Sequence, residues 1–451
     1  MENILIIGIL TTYLVLLLII GVYFSKKVKT TTGFFLANRS LGTFPLTATI
    51  TATVVGGSAT IVAGGRIYAS GLPGLWYDLG GALGLIVLGY FLAKKVRKTG
   101  LVTLPDIAGH LYDKNVRFAS ALLIIIIEIA WVSLLIQACS LILFVVVPVE
   151  YELLLVIITL VFIGYTFLGG QYAVVYTDII QFIIMVVGIC IIAAPLLFFD
   201  ALPLLNQLPS TFLSFPVNEN IGVLAASSIF FMMFMPHIVG PDIYSKILSA
   251  KDEKTAKKGA IFSGLFKLVF AIAIGVIALA AAVLYPGLDV PSLAIPTAIA
   301  QLSPVLAGIL LASFVSVMLS SADSCLLSAG TILSVDITKK NTVLISRIGI
   351  LGVGVGALLL ALYYTQLGGI LDTLKLAYTV FTAGLTLPII FGFYKEKTRV
   401  TSMGAFFSLY FGGSISLLLL LIKNPYSDHA VLFGLVASLF PLLLLREKKK
   451  N

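Results

Sequence analysis

In the stretch VSVMLSSADSCLLSAGTILS, the residues Ser320, Ser321, Asp323 and Ser324 put four oxygen-bearing side chains within five positions of an otherwise apolar run. Oxygen donors suit a hard, weakly bound cation such as Na⁺, whereas transition metals favour imidazole and thiolate. Hydroxyls by themselves also serve as glue between membrane helices, and Ser328 and Ser334 fit that plainer role. A carboxylate is another matter. At membrane depth it costs about 2.5–3.5 kcal/mol on insertion scales, so it is kept where it pairs, coordinates or lines water. Asp178, in GGQYAVVYTDIIQ, is a second such acid. It is either a helix-end carboxylate in water, favoured by the helix dipole, or a station on an ion path.

These groups need a frame, and the composition says which. The chain has 451 residues, 59% hydrophobic and 11% charged, with a mean hydropathy of +1.11. Soluble domains average about 45–50% apolar and about 25% charged. The excess apolar surface excludes a soluble enzyme, a disordered chain and a disulfide scaffold. Outer-membrane barrels alternate polar and apolar residues, while these runs are continuous. What remains is an all-α polytopic membrane protein, working against a lipid bilayer. Cys139, Cys190 and Cys325 are scattered through apolar stretches and read as small hydrophobes, with neither a disulfide framework nor a metal motif.

A crossing takes about 20 mostly apolar residues. On that rule the sequence predicts thirteen spans, at 4–25, 44–69, 73–96, 116–147, 152–168, 173–198, 220–246, 258–287, 296–332, 342–363, 367–394, 398–421 and 428–445. Basic residues follow the first span instead of preceding it, so it reads as a retained helix and not a signal peptide. With alternating spans, one side collects Lys26, Lys27, Lys29 and Arg39, then the clusters from Lys94 to Arg117, Lys246 to Lys258, Lys339 to Arg347, Lys395 to Arg399 and Arg446 to Lys450. The other side holds Lys423 and little else. The positive-inside rule then predicts an outside N-terminus and a cytoplasmic C-terminus in the plasma membrane. The net charge of +9 is accounted for by loops, so no nucleic-acid partner is expected.

Two spans are interrupted. The second reads TATITATVVGGSATIVAGG with Gly56 and Gly57 in its middle, and the seventh reads FFMMFMPHIVGPDIYSK with Pro236, Gly240 and Pro241. Broken backbone at membrane depth is tolerated only where it lines a cavity or is buried in protein. The two spans are five apart, so they enter the membrane from opposite sides. That is the signature of inverted repeats whose broken helices meet at the midplane around substrate and coupling ion. The plainer reading is that Gly and Pro are common in membrane helices; two breaks in corresponding positions favour the site.

The motifs FFLANRSLG, TATVVGGS, TLPD at 103–106, GGQYAVVYTD, DIYSKILSAKDEKTAKKG and LSSADSCLLSAGTIL, in this order over nearly the whole chain, resemble the sodium:solute symporter family, which includes proline, sialic acid and galactose symporters. The resemblance implies a LeuT-type core of two inverted five-helix repeats. Its parts would be a leading helix and loop (4–43), repeat 1 (44–198), repeat 2 (220–394) and two extra helices with a basic tail (398–451). It implies a secondary transporter and not an enzyme, with Na⁺ as coupling ion, a small organic solute as partner, and a monomer sufficient for transport.

Carried over by position, the main Na⁺ site would use the carbonyls of Ala52, Val55 and Val317 and the hydroxyls of Ser320 and Ser321. Some relatives hold a second Na⁺ with groups matching Asp178, Ser320, Asp323 and Ser324; here Asp323 either joins such a site or orders the exit route. The solute pocket would draw on Ser58, Thr60, His237, Tyr378 and Thr379. His237 is also the type of residue that serves as a structural hydrogen bonder. Glu128, Trp131 and Gln137 are spaced by three and six and are expected to share a helix face toward the pocket. Glu128 either reads a substrate amine or pairs with Lys375 or Arg66.

The function expected is sodium-coupled import of a small organic solute by alternating access, with an amino acid such as proline ahead of a carboxylate or sugar. A proton-coupled carrier on the same fold would use Asp178, Asp323 or His237 as a relay. A membrane sensor is disfavoured by a chain that ends at REKKKN without a cytoplasmic domain. An intramembrane aspartyl protease is disfavoured by the sequence around Asp178 and Asp323.

Overall fold

A computed structural model describes residues 2–26, 30–367, 369–422 and 425–447. Lys27, Lys29, Lys423, Lys448, Lys449 and Lys450, all used in reading the charge asymmetry, lie outside the described residues. Among the described residues the chain is helical, with two isolated β-bridges and no strand. Among the described residues eleven helices are long and apolar enough to cross a membrane, from Asn3–Ser25 to Ser427–Leu444. The second span is a bent pair, Thr43–Val54 and Ser58–Ser70, set at 61°. The fifth is the shorter helix Tyr151–Phe167. Together these give every one of the thirteen expected segments its helix. Spans 5 and 6 are joined without a loop, because Gly170 (φ 64°) turns the chain between them. A Cβ there would also press on the Phe34 ring.

Hydropathy makes all these helices membrane-soluble, and burial sorts them. Span 9, Pro304–Ile337, has 83% of its apolar window inside the protein, against 22% for Asn3–Ser25 and 28% for Ser402–Ile422. Span 9 is thus the post around which the bundle is built. It packs on span 4 (Lys114–Phe144), span 10 (Val343–Thr365), span 1, the run Tyr151–Met185 and the first half of span 2. Its SSADS island therefore sits at the centre, and the lipid meets Ile4, Leu16, Leu421 and Leu444 on the peripheral spans.

Three of the quoted motifs meet at one end of the bundle, the end that carries the basic clusters. Leu41 of FFLANRSLG bonds through its backbone to Ser249 (3.2 Å) and Lys251 (2.9 Å) beyond span 7. Arg97 donates to the Ala250 carbonyl at 2.6 Å. In TLPD, Thr103 caps its own short helix through the Asp106 amide and donates to Asp336 at 2.7 Å, while Arg117 bridges Asp336 (2.8 Å) and Asp106 (3.0 Å). Asp252 caps span 8 (Glu253–Leu284), and the Thr255 amide at 2.7 Å holds its carboxyl below the usual carboxylate range.

Candidate functional site

The break in span 2 runs over residues 55–57, with Val55 at φ −90° and ψ 73°. Glycine is needed there for close approach. A Cβ on Gly56 would lie 2.7 Å from the Ser321 hydroxyl, and one on Gly57 would lie 2.9 Å from Ala138 of span 4. The unwound turn is thereby pressed onto span 9, whose serines meet carbonyls of the last helical turn before the break. Ser320 Oγ donates to the Ala52 carbonyl at 2.9 Å. Ser321 Oγ reaches the carbonyls of Thr53 at 2.8 Å, Val317 at 3.0 Å and Ala52 at 3.4 Å. The structure so brings together Ala52, Val317, Ser320 and Ser321, with Val55 in the break beside them. The Thr53 carbonyl was not expected. These are neutral oxygens in a dry setting, the donor chemistry of a hard monovalent cation. Among the described residues, no group of three or more His, Cys, Asp or Glu offers a rival metal site.

Substituting Gly56→Ala should weaken Na⁺ binding about tenfold, since overpacking costs about 1–3 kcal/mol and falls here on the Ser321 hydroxyl. Binding of ²²Na⁺ to purified protein checks this; an unchanged affinity would show that the close approach is dispensable.

Of the two readings of Asp178, the structure excludes the solvated one. Asp178 is fully buried, and its Oδ2 accepts from Lys246 Nζ at 3.1 Å and from the Thr49 hydroxyl. It is therefore not a helix-end carboxylate in water. Lys246 is likewise no loop charge: the second half of span 7, Pro241–Ser249, carries it inward to an exposure of 0%. Asp323 Oδ1 faces the Ser324 hydroxyl at 3.3 Å, and Ser324 in turn meets Thr53 Oγ1 at 3.0 Å. Asp178 Oδ1 and Asp323 Oδ2 are buried without a hydrogen-bond partner. Asp323 lies within electrostatic reach of both Asp178 and Lys246.

Span 7 breaks at 239–240, between Val223–Ile238 and Pro241–Ser249. Pro236 lies inside the first half, one turn before the break. Having no N–H, it frees the Met232 carbonyl, which Thr382 of span 11 takes at 3.3 Å. His237, expected within the break, instead occupies the last turn of that helix, its Nδ1 on the Met233 carbonyl at 2.6 Å.

Between the two breaks lies a narrow cavity with about 40 Å³ open to the centre of a water molecule, walled by spans 2, 4, 7, 9 and 11. Of the expected solute residues, Ser58, Trp131, His237 and Tyr378 line it, and so does Ser321 of the oxygen cluster. Ser58 Oγ and Tyr378 OH are 3.1 Å apart. The Trp131 ring centre lies 5.4 Å from that of Tyr378 and 5.0 Å from that of Phe381. The other expected residues fall outside the wall. Thr60 bonds the Gly56 carbonyl of its own span, Gln137 donates to Thr373 at 2.9 Å, and Thr379 faces the Met232 sulfur at 3.5 Å. Glu128, one turn from Trp131, is fully buried with neither oxygen bonded. It pairs with neither Lys375, which meets Asp428 at 2.6 Å, nor Arg66.

Three charged residues at this site were missed. Asp242 lines the cavity at the start of the second half of span 7. Its signal was its place directly after the Gly-Pro break. Lys267 of span 8 is fully buried, bonding Asp78 of span 3 at 3.1 Å and the Val54 carbonyl at 2.8 Å. A lysine inside an apolar span signals a buried acid, but sequence distance hides which one. A larger apolar groove between the last two spans, lined by Phe407, Phe433 and Phe440, faces outward and carries no such charges.

The profile of the Sodium:solute symporter family matches residues 34–412. A high-affinity choline transporter of Caenorhabditis elegans is 25% identical over 400 residues, spanning 79% of this chain and 69% of the relative. A sodium/proline symporter of Staphylococcus aureus (strain Newman) is 23% identical over 459 residues, 94% of this chain and 88% of the relative. A solved structure, the substrate-bound outward-open state of a Na⁺-coupled sialic acid symporter, superposes with a TM-score of 0.80 at 18% identity, covering 98% of this chain and 97% of that one. The shared fold is the LeuT-type core of two inverted five-helix repeats.

Proposed function

The chain belongs to the sodium:solute symporter family, and from that premise we propose that it imports an amino acid such as proline together with Na⁺. Secondary transport coupled to Na⁺ is the family's activity, and the protein is a multi-pass membrane protein, not an enzyme. One observation carries the reading at this site. Ser321 belongs both to the oxygen cluster and to the wall of the cavity, so an ion bound by one stiffens the other. In this reading Na⁺ enters from outside among the oxygens of Ala52, Val55, Val317, Ser320 and Ser321. The solute follows beside Ser58, Trp131, His237 and Tyr378, the outer side closes, and both leave inward past Asp323 and Ser324. Each Na⁺ moving down the potential supplies about 2.3 kcal/mol per 100 mV, enough to accumulate a small solute.

The charge clusters support an outside N-terminus and a cytoplasmic C-terminus, and one copy holds both sites. The repeats are assigned to 44–198 and 220–394. Proline, rather than a sugar or carboxylate, is supported by the small, partly acidic cavity; a proline symporter stands among its relatives, beside sugar cotransporters. In proteoliposomes with an inward Na⁺ gradient, radiolabelled proline should accumulate above the level seen with K⁺ replacing Na⁺. Equal uptake in the two conditions would sink the assignment.

A further inference from the structure

The interior of the bundle holds more acids than it neutralises. Asp78, Glu128, Asp178 and Asp323 are buried, and Asp242 lines the cavity. Against these five stand two buried ammonium groups. Lys246 is committed to Asp178 and Lys267 to Asp78. Glu128, Asp242 and Asp323 have no ion-pair partner among the described residues. A carboxylate kept in such a place is normally matched by a charge. One Na⁺ at the span 2 break does not account for the pair nearest the cavity, Asp242 and Glu128, which lie within electrostatic reach of each other.

Beside the hydroxyls of Ser58, Ser321 and Tyr378, the cavity wall presents groups that attract a positive charge. Asp242 offers carboxylate lone pairs. His237 Nδ1 lies 2.6 Å from the Met233 carbonyl, which only accepts, so this nitrogen carries a proton. The aromatic residues Trp131 and Tyr378 line the same cavity, and aromatic rings attract cations. The indole N–H of Trp131, 6% exposed, has no hydrogen-bond partner.

The helix dipole sharpens the choice. In transporters with broken helices, the positive N-terminal end of a half-helix commonly meets an anionic group of the substrate. Here the half-helix Pro241–Ser249 carries its own anion at that end, Asp242, facing the amides of Asp242 and Ile243. A substrate carboxylate would be repelled at that point, and a positive group attracted.

We propose that Asp242 is the recognition group for a cationic nitrogen on the transported solute, seated between this carboxylate and the rings of Trp131 and Tyr378. The unpaired indole N–H then suits an acceptor on the same solute. This rests on the symport reading above and deepens it, by assigning the solute's positive nitrogen to Asp242 and admitting ammonium compounds beside amino acids. Neutral sugars and simple carboxylates fall outside it.

The test uses the full chain in proteoliposomes on a solid-supported membrane, with proline, choline, glucose and lactate as probes, and ²²Na⁺ binding measured separately without solute. Proline or choline should give Na⁺-dependent currents, and glucose and lactate none. In Asp242→Asn the apparent affinity for the responding amine should fall about 30-fold or more, with ²²Na⁺ still bound; Asp242→Glu should recover part of the loss. Currents from glucose or lactate, silence toward both amines, or wild-type amine affinity in Asp242→Asn would each overturn the proposal. Those outcomes leave sodium coupling standing so long as ²²Na⁺ binds; loss of ²²Na⁺ binding in the wild type would remove the symport reading itself.

Discussion

Replacing Ser321 by alanine should raise the external Na⁺ concentration needed for half-maximal uptake about tenfold to a hundredfold, with expression unchanged. Ser321 helps tie span 9 to the end of the first half of span 2, since its hydroxyl reaches carbonyls of both spans. An oxygen bonded to a charge is worth about 1.5–3 kcal/mol, and tenfold in affinity is about 1.4 kcal/mol. Without the ion the same hydroxyl makes only neutral hydrogen bonds, each worth about 0.5–1.5 kcal/mol net, so the fold should tolerate its loss. Ser320→Ala is the useful comparison. The Ser320 hydroxyl also bonds the Ser316 and Val317 carbonyls of its own helix, so its removal should weaken Na⁺ binding in the same direction. Uptake measured against Na⁺ concentration in proteoliposomes checks both. A Ser321→Ala protein with wild-type Na⁺ dependence would take Ser321 out of the site.

The reach of sequence reading follows from what each feature depends on. Spans depend on local hydropathy, so twelve of the expected thirteen pass as membrane-length helices or a bent pair, and only Tyr151–Phe167 is short. The break at Gly56 and Gly57 was legible because both glycines lie beside the apolar stretch they interrupt. The break in span 7 was legible only approximately. Pro236 looked like the interruption, but a proline inside a helix leaves one carbonyl free, and Thr382 satisfies it across the bundle. What could not be read was pairing. Lys246 lies at the end of an apolar run and beside the basic cluster from Lys251 to Lys258, so hydropathy assigns it to a loop. Only its turn inward, toward an acid 68 positions earlier, shows otherwise. Lys267 lies inside an apolar run, yet its partner Asp78 is 189 positions away. Glu128, Trp131 and Gln137 fail as a single face for a geometric reason. Three residues turn a helix by about 300° and six by about 600°, so the third position points elsewhere, and Gln137 meets Thr373 instead of the cavity.

Lys246→Met should be among the most damaging single changes in the chain. It leaves Asp178 buried with Thr49 alone against a full charge, and an uncompensated buried partner costs about 3–5 kcal/mol. Asp178→Asn should destabilise for the mirror reason, leaving the ammonium of Lys246 unmatched. The double variant, Asp178→Asn with Lys246→Met, removes both charges and should recover most of the loss, because a buried ion pair replaced by neutral groups of similar size is often close to neutral in stability. Thermal unfolding of the detergent-purified proteins, followed by the loss of monodisperse protein after heating, gives the three comparisons. Additive losses in the double variant would show that the two residues do not act as a pair. Uptake in the double variant then separates the two roles that Asp178 can have. If the carboxylate only holds span 6 to span 7, stability and Na⁺-driven uptake return together. If its unpartnered Oδ1 also meets a cation on the inward path, stability returns and uptake does not.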